Sequence, residues 1–388
     1  MWALLKVYTH LMRKYVLAVL AALGGLILSR SAYLSSLTSA LPPLPFPIWR
    51  SETIATDGEL NDIELDGVDD PYVVFVDSTR DVLRYAKRVQ GEWVASDIVS
   101  FLPAVPPADL AFDMAIRPLD GVPYVAYVNT DKNELDYGRL ESGQWQWETV
   151  GVGGRLLSLR FDAAGIAHII LVEEQSITYY RQSGASWNME TVGEPDAYVW
   201  NLFLDMDAIG QPHIAWTGAN GSFHAYRSVS SGWVIEPHWP ENIEGFVLDA
   251  GGRPNYLITM AEPLWFRPPY SRITLSLINP TDDPQVWNEI ILWVADEWYV
   301  NCDMAAGSNG EFHVVFRETN GRPHYVVVDS QSHVTREHPA AGGVGPISLA
   351  LDSSGNPQLT HYDGENLIYS FRDTILLTES VYLPVTSR

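Results

Sequence analysis

Cysteine is almost absent from this chain of 388 residues, whose single thiol is that of Cys302. One cysteine excludes an internal disulfide bond and any zinc or iron–sulfur site that needs several thiolates. Basic residues are also scarce, with 24 Lys and Arg against 48 Asp and Glu, a net charge of −24. An acidic surface repels phosphate backbones and anionic lipid headgroups. The composition therefore predicts no nucleic-acid partner and no membrane binding through the folded domain.

Long hydrophobic runs are missing except near the N-terminus. Residues 15–28 form an uncharged apolar run that follows Arg13 and Lys14. This pattern is typical of a secretory signal peptide, since a membrane span needs about 20 apolar residues. We predict that residues 1–40 are a signal peptide or an uncleaved signal anchor, followed by a proline-rich spacer at 41–48. The remainder is expected to be exported, secreted or envelope-associated, and to contact a membrane only through an uncleaved N-terminal segment.

Amphipathic helical periodicity is also lacking, and a β-type repeat takes its place. A turn of the form Asp-x-x-Gly-x-Pro, as in residues 352–357, precedes a run of β-branched and aromatic residues in each copy. Successive copies are 42 to 58 residues apart, which is the spacing of four-stranded propeller blades. The proline position of the seven copies is occupied by Pro71, Pro123, Ala167, Pro212, Pro254, Phe312 and Pro357.

Two aromatic positions recur after each turn, one on the expected third strand and one on the fourth. The third-strand tyrosines are Tyr85, Tyr137, Tyr180, Tyr226, Tyr325 and Tyr369. The fourth-strand tryptophans are Trp93, Trp145, Trp187, Trp233 and Trp287. Short strands rich in Val, Ile, Tyr and Trp predict an all-β fold. We predict a seven-bladed β-propeller of four-stranded antiparallel blades at residues 49–373, with a C-terminal tail at 374–388.

The two ends of the array predict how the ring closes. Residues 49–54, Trp-Arg-Ser-Glu-Thr-Ile, match the fourth strands at 145–150 and 187–192 but precede the first copy. The seventh copy has Tyr369 but no tryptophan-bearing strand after it. We therefore expect the N-terminal strand to complete the seventh blade, which leaves no unpaired strand edge in the ring.

The seventh copy also resembles a known repeat. Residues 348–363, Ser-Leu-Ala-Leu-Asp-Ser-Ser-Gly-Asn-Pro-Gln-Leu-Thr-His-Tyr-Asp, are similar to the repeat of exported bacterial propellers of the BNR-like, or sialidase-superfamily-like, kind. The Asp-box of that family survives only as partial copies at 142–145 and 183–187, without the aspartate. The resemblance implies a propeller. A sialidase activity would also need an arginine cluster, a tyrosine nucleophile with its glutamate and an acid aspartate. The sequence identifies no such set.

Polar residues near the turns are candidates for metal binding. His168, His213 and His313 follow the turn in three copies, but separate blades keep them apart, so we predict structural contacts to turn backbone. Acidic turns could supply oxygen ligands, yet the full calcium-loop pattern is missing, and we predict turn caps with bound calcium as the alternative. The acidic turn residues are Asp66, Asp69, Asp70, Asp205 and Asp207.

Arginines and paired carboxylates are candidates for glycosidase chemistry. Arg139, Arg181 and Arg227 all follow the third-strand tyrosine, and a repeated position predicts a structural role. The carboxylates of 173–174 and 363–365 fall in connections between second and third strands, where they are candidate acids. The sequence assigns no catalytic residue, metal ligand or cofactor site.

The fifth copy carries an insertion between its second and third strands. Its third strand is placed at 273–277, later than in the other copies. That connection lies on the face that carries the links between blades, called the loop face here, and long loops on rigid scaffolds concentrate function. Candidate ligand-binding residues are Trp265, Phe266, Arg267 and Tyr270, which offer stacking faces and a forked donor. The alternative is that these aromatics fold back as a plug over the channel.

Function is predicted less sharply than fold. The composition, the repeats and the loop favour an exported, non-enzymatic propeller that binds a glycan or another surface macromolecule on its loop face. One alternative is a sialidase-like glycoside hydrolase or lyase. The other is a structural surface scaffold that presents partners.

Overall fold

Seven four-stranded antiparallel sheets form the blades of a closed ring in this computed structural model. It describes residues 44–100, 110–195, 198–228, 231–237, 241–263, 271–281, 286–295, 299–318, 321–339 and 342–377. Over those residues the fold is all-β, which confirms the predicted seven-bladed propeller. None of the described residues belongs to a helix long and apolar enough to cross a membrane.

The strands of each blade follow one another outward from the central axis, and only the seventh blade departs from this order. The first two blades consist of β2 (Asn61–Leu65), β3 (Pro71–Asp77), β4 (Val82–Val89) and β5 (Glu92–Ser100), and of β6 (Phe112–Ile116), β7 (Pro123–Asn129), β8 (Glu134–Glu141) and β9 (Gln144–Val152). The third and fourth consist of β10 (Arg155–Phe161), β11 (Ala167–Glu173), β12 (Ser176–Ser183) and β13 (Ser186–Gly193), and of β14 (Val199–Met206), β15 (Pro212–Gly218), β16 (Gly221–Ser228) and β17 (Gly232–Pro237).

The remaining three blades follow the same plan. The fifth and sixth consist of β18 (Asn242–Leu248), β19 (Pro254–Pro263), β20 (Ser271–Pro280) and β21 (Trp287–Ala295), and of β22 (Tyr299–Ala306), β23 (Phe312–Glu318), β24 (Pro323–Val328) and β25 (Val334–Glu337). The seventh consists of β26 (Ile347–Leu351), β27 (Pro357–Tyr362), β28 (Asn366–Leu377) and β1 (Leu44–Thr56). Two compact units divide the chain, the propeller at Ile48–Asp373 and a second unit of Met1–Pro47 and Thr374–Arg388.

The N-terminal strand closes the ring as predicted. In the seventh blade the strand order is β1-β28-β27-β26, so β1 is the outermost strand. Ser51 on β1 hydrogen-bonds Ser370 on β28, with 2.8 Å between the two hydroxyl oxygens. Since β1 and β26 come from opposite ends of the sequence, the seventh blade is complete only when both ends are present.

The predicted turn explains why the second strand of each blade starts where it does. In the third blade Asp162 Oδ1 accepts hydrogen bonds from the backbone N–H groups of Ala164 (3.0 Å) and Ile166 (2.8 Å). Gly165 has a φ of 72°, a conformation in which a glycine avoids the steric cost of a Cβ. Ala167 then opens β11, and a proline opens the second strand in five other blades.

A tryptophan–glutamate girdle joins the outer strands of successive blades. Each of these indole N–H groups donates to a glutamate on the outer strand of the preceding blade. The pairs are Trp49 with Glu337 (2.7 Å), Trp93 with Glu52 (3.1 Å), Trp187 with Glu148 (3.0 Å) and Trp233 with Glu190 (3.2 Å). The motif Trp-x-x-Glu of residues 49–52 and 187–190 thus has a mechanism, because its tryptophan binds one neighbouring blade and its glutamate binds the other.

The same indoles pack edge-on against aromatic rings of the preceding blade's third strand. Trp187 lies 5.0 Å from Tyr137 and Trp233 lies 5.1 Å from Tyr179, as measured between ring centroids. The third-blade residue that matches Tyr137 is therefore Tyr179, one residue before the predicted Tyr180. Tyr179 pairs with Ile170 and Tyr137 pairs with Ala126, and each of these partners is the fourth residue of its second strand. In the fourth blade the matching position holds His224, two residues before the predicted Tyr226. A repeated residue type within a strand hides the register, because neighbouring residues face opposite sides of the sheet.

The blade ends form two faces. Antiparallel strands place the links between blades and the second-to-third-strand connections together on the loop face. The first-to-second-strand turns and the third-to-fourth-strand hairpins lie on the opposite turn face. Apolar core fills the spaces between blades, as with Leu159, Ile169 and Tyr180 of the third blade against Ala126 and Tyr137 of the second.

Candidate functional site

The innermost strands of six of the seven blades line a polar cavity of about 400 Å³ on the ring axis. Alternate residues of these strands face it, because successive side chains of a strand point to opposite sides. The charged residues that line it are Asp62, Glu64, Arg160, Asp205 and Asp303. This cavity, called the tunnel below, has one cation among its described lining residues and is otherwise acidic.

Tunnel aspartates hold adjacent blades together. The inner strands of neighbouring blades do not pair with each other. A carboxylate from one blade instead accepts a hydrogen bond from a backbone N–H of the next. The pairs are Asp62 with Met114 (3.3 Å), Asp113 with Leu159 (2.7 Å), Asp205 with Leu248 (2.7 Å) and Asp303 with Leu349 (2.8 Å). Ser348 Oγ accepts from the Ile63 N–H (3.3 Å) across the closing junction. These side-chain acceptors satisfy buried backbone N–H groups of the inner strands, which have no neighbouring strand on that side to accept their hydrogen bonds.

Crowded carboxylates dominate the electrostatics of the tunnel. Burial raises the pKa of Glu64 to about 7 and that of Asp303 to about 6. Burial and the neighbouring Asp113 carboxylate raise the pKa of Asp62. Arg160 donates to Asp113 at 3.1 Å, and the surrounding carboxylates raise its pKa although burial lowers it. We interpret the tunnel as a structural ion network that holds the inner strands together.

A second cavity, of about 740 Å³, opens on the loop face across blades two and three and the link that leads to blade four. Three glutamates line it, Glu173 and Glu174 from the second-to-third-strand connection of blade three and Glu194 from the link to blade four. Asn133 and Ser176 add polar groups. None of its described lining residues is basic. This acidic pocket contains the predicted pair 173–174, which the structure does place on the loop face.

A tyrosine–glutamate pair borders the acidic pocket, and it does not have the properties of a tyrosine nucleophile. The hydroxyl of Tyr180 donates to the Glu173 carboxylate. Burial and this carboxylate raise the Tyr180 pKa, and only 2% of the residue is exposed. A tyrosine nucleophile requires the opposite, a lowered pKa and access to substrate. The substrate's carboxylate would also need arginines, which the described lining residues do not supply.

A smaller cavity of about 230 Å³ lies beside the acidic pocket, between blades three and four. The two share Glu194 and Pro195 as lining residues. We call the smaller one the indole pocket, and its other main lining residues are Trp216, Asn220, Phe223 and Ile235. Trp216 is 3% exposed and stacks on Phe223, with 5.2 Å between ring centroids.

Two exposed aromatic residues follow the same link. Tyr198 is 64% exposed, and the Arg155 guanidinium lies 3.7 Å above its ring while donating to the Val199 carbonyl. Trp200 is 40% exposed where the pairing of β14 shifts at a bulge. Sequence reasoning missed Tyr198 and Trp200. The available signal was the Tyr-x-Trp of residues 198–200, which spans the start of the inner strand β14.

The predicted ligand-binding residues Trp265, Phe266, Arg267 and Tyr270 lie outside the described residues. The strands on either side are described. The third strand of the fifth blade, β20 (Ser271–Pro280), includes the predicted 273–277, and its first residue pairs with Pro263 at the end of β19. The predicted late third strand of this blade is thus confirmed, and its flanks reach the loop face.

The turn histidines are structural, but their partners are side chains rather than turn backbone. His168 Nδ1 lies 2.5 Å from the Tyr179 hydroxyl and its Nε2 lies 3.4 Å from Asp162. His313 repeats this arrangement with Tyr325 (2.5 Å) and Glu311 (3.3 Å). Burial lowers the pKa of both imidazoles, which keeps them neutral at pH 7. His213 instead hydrogen-bonds His224, at 3.1 Å.

The acidic turn residues do not share one role, since Asp69 accepts from the backbone N–H and the hydroxyl of Ser353 in the seventh blade. Asp66 Oδ1 and Asp207 Oδ1 each accept two turn N–H groups, as predicted for turn caps. Asp205 lines the tunnel instead and binds the next blade. Among the described residues, no group of three or more His, Cys, Asp or Glu is arranged to hold a metal ion. Arg227, a predicted structural arginine, forms an ion pair with Glu190 of the preceding blade at 2.8 Å.

Comparison with known proteins supports the fold. No family model matches the sequence, and no curated protein sequence matches it. Similar solved structures include a streptogramin B lyase, with a TM-score of 0.56 and 9% identity over 84% of this chain and 98% of that one. The BP39L lectin from Burkholderia pseudomallei gives 0.53 and 12% over 81% and 98%. YCF48 bound to D1 peptide gives 0.52 and 14% over 86% and 99%. Identities this low show a shared propeller fold alone, so the resemblance to BNR-like repeats is confirmed only as far as the propeller.

Proposed function

We propose that this protein is exported and that its propeller binds a glycan, or another surface macromolecule, on the loop face without catalysing a reaction. The observation that carries the proposal is the acidic pocket, where Glu173, Glu174 and Glu194 face a common cavity with no basic residue among the described lining. Carboxylate and amide oxygens accept hydrogen bonds from hydroxyl groups, which a neutral sugar presents in numbers. Exposed aromatics on the adjoining link add stacking surface.

Similar folds include both binding proteins and lyases, so the fold itself does not choose between them. The site favours binding. Tyr180 is buried and its pKa is raised, which keeps its hydroxyl protonated, and the tunnel offers a single described arginine, Arg160, which is bound to Asp113. The fifth-blade residues at 265–270 are proposed as a further contact region on the same face.

Export is expected to remove the N-terminal segment. The basis is Arg13 and Lys14 followed by the apolar run at 15–28. Mass spectrometry of protein recovered from the medium or envelope should give an N-terminus between about residues 29 and 42. Recovery of the intact chain in the cytosol would contradict export, and an intact chain in the membrane would support a signal anchor.

Binding without catalysis is testable on one protein preparation. A glycan array probed with the purified protein should give selective binding, while a panel of fluorogenic glycosides should give no turnover. Glu194→Ala should weaken binding because it removes a carboxylate shared by both loop-face cavities. Asp97→Ala, at an exposed ion pair on the outer strand of blade one, is the control and should bind like the parent. Turnover of any glycoside that Glu173→Gln abolished would establish the enzyme alternative.

A further inference from the structure

The most exposed large hydrophobic side chains among the described residues lie on the turn face. They are at the tips of the first-to-second-strand turns of blades one, two and four, and they are Val68 (76% exposed), Leu119 (67%) and Ile209 (79%). The turn of blade three, between them, has the exposed Ala163 and Ala164 at its tip. Single exposed residues of this kind are ordinary, but these five residues occupy four consecutive turns. They are called the apolar arc below.

Contacts between successive turns make the apolar arc continuous. Leu119 of blade two reaches over the turn of blade three, where a Cβ built on Gly165 would lie 2.6 Å from Leu119 Cδ1. The turns of blades three and four also touch, since a Cβ built on Gly210 would lie 3.4 Å from Asp162 Oδ2. A shallow groove of about 710 Å³ separates the turns of blades one and two. Its apolar lining residues are Leu65, Val68, Ile116, Pro118 and Leu119.

The fold does not require apolar side chains at these tips. In blade four the Gly210 N–H donates to the Asp207 carbonyl at 3.0 Å, and in blade seven the Gly355 N–H donates to the Asp352 carbonyl at 2.8 Å. The two turns thus share their backbone hydrogen bond, although the tip of the second is the serine pair 353–354. Blades five and six also have small or polar tips. Apolar tips are therefore typical of an interaction surface, because contact with a partner removes them from water.

The charge around the apolar arc determines which partner fits it. The turns of blades one to four, at residues 66–70, 117–121, 162–166 and 207–211, contain six aspartates and one arginine. That arginine, Arg117, already forms an ion pair with Asp120. A second copy of this chain would bring the same negative charge, and anionic lipid headgroups would be repelled as well. A surface with lysines and arginines around apolar side chains is complementary to the arc in both respects.

We propose that the apolar arc is a docking surface for a protein that presents aliphatic or aromatic side chains among lysines and arginines. The partner's apolar side chains contact Val68, Leu119 and Ile209, and one of them occupies the groove between blades one and two. Its cations lie beside the turn aspartates. The arc is on the face opposite to the loop face, so this docking does not depend on the proposed glycan binding, and the propeller would hold both partners at once.

A synthetic amphipathic peptide of leucine and lysine is the probe, and its binding to the full-length protein is measured by fluorescence anisotropy. The parent should bind this peptide. The turn-face variant, Val68→Ser with Leu119→Ser and Ile209→Ser, should bind it at least tenfold more weakly, because three apolar contacts are lost. A peptide with glutamate in place of lysine should bind neither protein, and added salt should weaken binding of the leucine–lysine peptide.

Val94→Ser with Met189→Ser and Ile291→Ser is the matched control. These three side chains are also exposed, but they lie on the outer strands of blades one, three and five. The control should bind the peptide like the parent, and all three proteins should have the same melting temperature. Absent binding by the parent, equal binding by the turn-face variant, or a lower melting temperature of that variant would overturn the proposal.

Two further measurements test the other possible occupants of the apolar arc. The first is binding of the parent to phosphatidylcholine vesicles, and the second is dimer formation in analytical ultracentrifugation. Neither is expected. Vesicle binding or a dimer that the turn-face variant abolishes would overturn the protein partner and assign the arc to a membrane or to a second copy of the chain.

Discussion

Deleting residues 1–56, and with them strand β1, is expected to lower the free energy of unfolding by about 5 kcal/mol. The deletion removes the outer strand of the seventh blade and breaks the girdle on both sides. Trp49 no longer donates to Glu337 (2.7 Å), and Trp93 loses its acceptor Glu52 (3.1 Å). Ile54, which is buried between blades seven and one, is lost as well. Since the free energy of unfolding of a domain is only about 5–15 kcal/mol, the deletion would remove a large part of the propeller's stability.

Urea unfolding followed by tryptophan fluorescence measures this loss. A chain that begins at residue 44 retains β1 and serves as the matched control, with an unfolding midpoint close to that of the parent. The chain that begins at Asp57 should also aggregate, because β28 then presents an unpaired edge. A synthetic peptide of residues 44–56 should restore part of the stability. Equal midpoints for the two truncated chains would show that β1 does not close the ring in solution.

Replacing Arg160 by methionine is expected to lower the free energy of unfolding by about 2 kcal/mol at pH 8 and by much less at pH 5. At pH 8 Glu64 and Asp303 are ionised, since their raised pKa values are about 7 and about 6, and the variant leaves them without the one cation among the described lining residues. The side chain of Arg160 is 38% exposed within the tunnel it lines. Water therefore partly replaces its charge, and the loss stays below the 3–5 kcal/mol of a sealed ion pair.

The sign of the pH dependence follows from the raised pKa values of the tunnel acids. Folding raises the pKa of Glu64 from 4.5 to about 7 and that of Asp303 from 3.8 to about 6. The folded state then binds more protons than the unfolded state, so these groups favour folding more as pH falls from about 7 towards 4. Once protonated, Glu64 and Asp303 carry no charge, so the loss of the Arg160 charge lowers the free energy of unfolding less. Histidines with lowered pKa values titrate the opposite way, but they are common to parent and variant and cancel in the comparison.

Urea unfolding of parent and Arg160→Met at pH 8 and pH 5 measures the difference. Arg227→Met is the control, because Arg227 is an exposed partner of Glu190 and its loss should cost less than about 1 kcal/mol at both pH values. A loss for Arg160→Met that is equal at both pH values would mean that Arg160 acts through packing rather than through charge.

The repeat pattern predicted the architecture because local chemistry recurs in it. The capping aspartate, the glycine with positive φ and the proline that opens a strand act within six residues, and the structure shows them acting so in residues 352–357. The match between residues 49–54 and other fourth strands predicted ring closure for a similar reason. A strand with the tryptophan and glutamate of the girdle fits only the outer position of a blade.

The tunnel was missed although its sequence signal is regular. In five blades an aspartate or serine lies four residues before the first residue of the turn. These residues are Asp62, Asp113, Ser158, Asp303 and Ser348. The sequence does not show that these side chains point to the axis rather than between blades. That direction depends on the arrangement of all seven inner strands at once.

The order of the amino acids is enough to predict the fold class, the number of blades, the closing strand and the fifth-blade insertion, since turn chemistry and strand periodicity are local properties. Which residues share a cavity depends on how the blades pack. Glu173 and Trp216 come from different blades, and they lie in adjoining pockets because one link, at Glu194 and Pro195, passes between them. That the buried indole N–H of Trp216 has no partner among the described residues could not be foreseen either. Whether a buried donor has an acceptor depends on every side chain around it, and those side chains come from distant parts of the sequence.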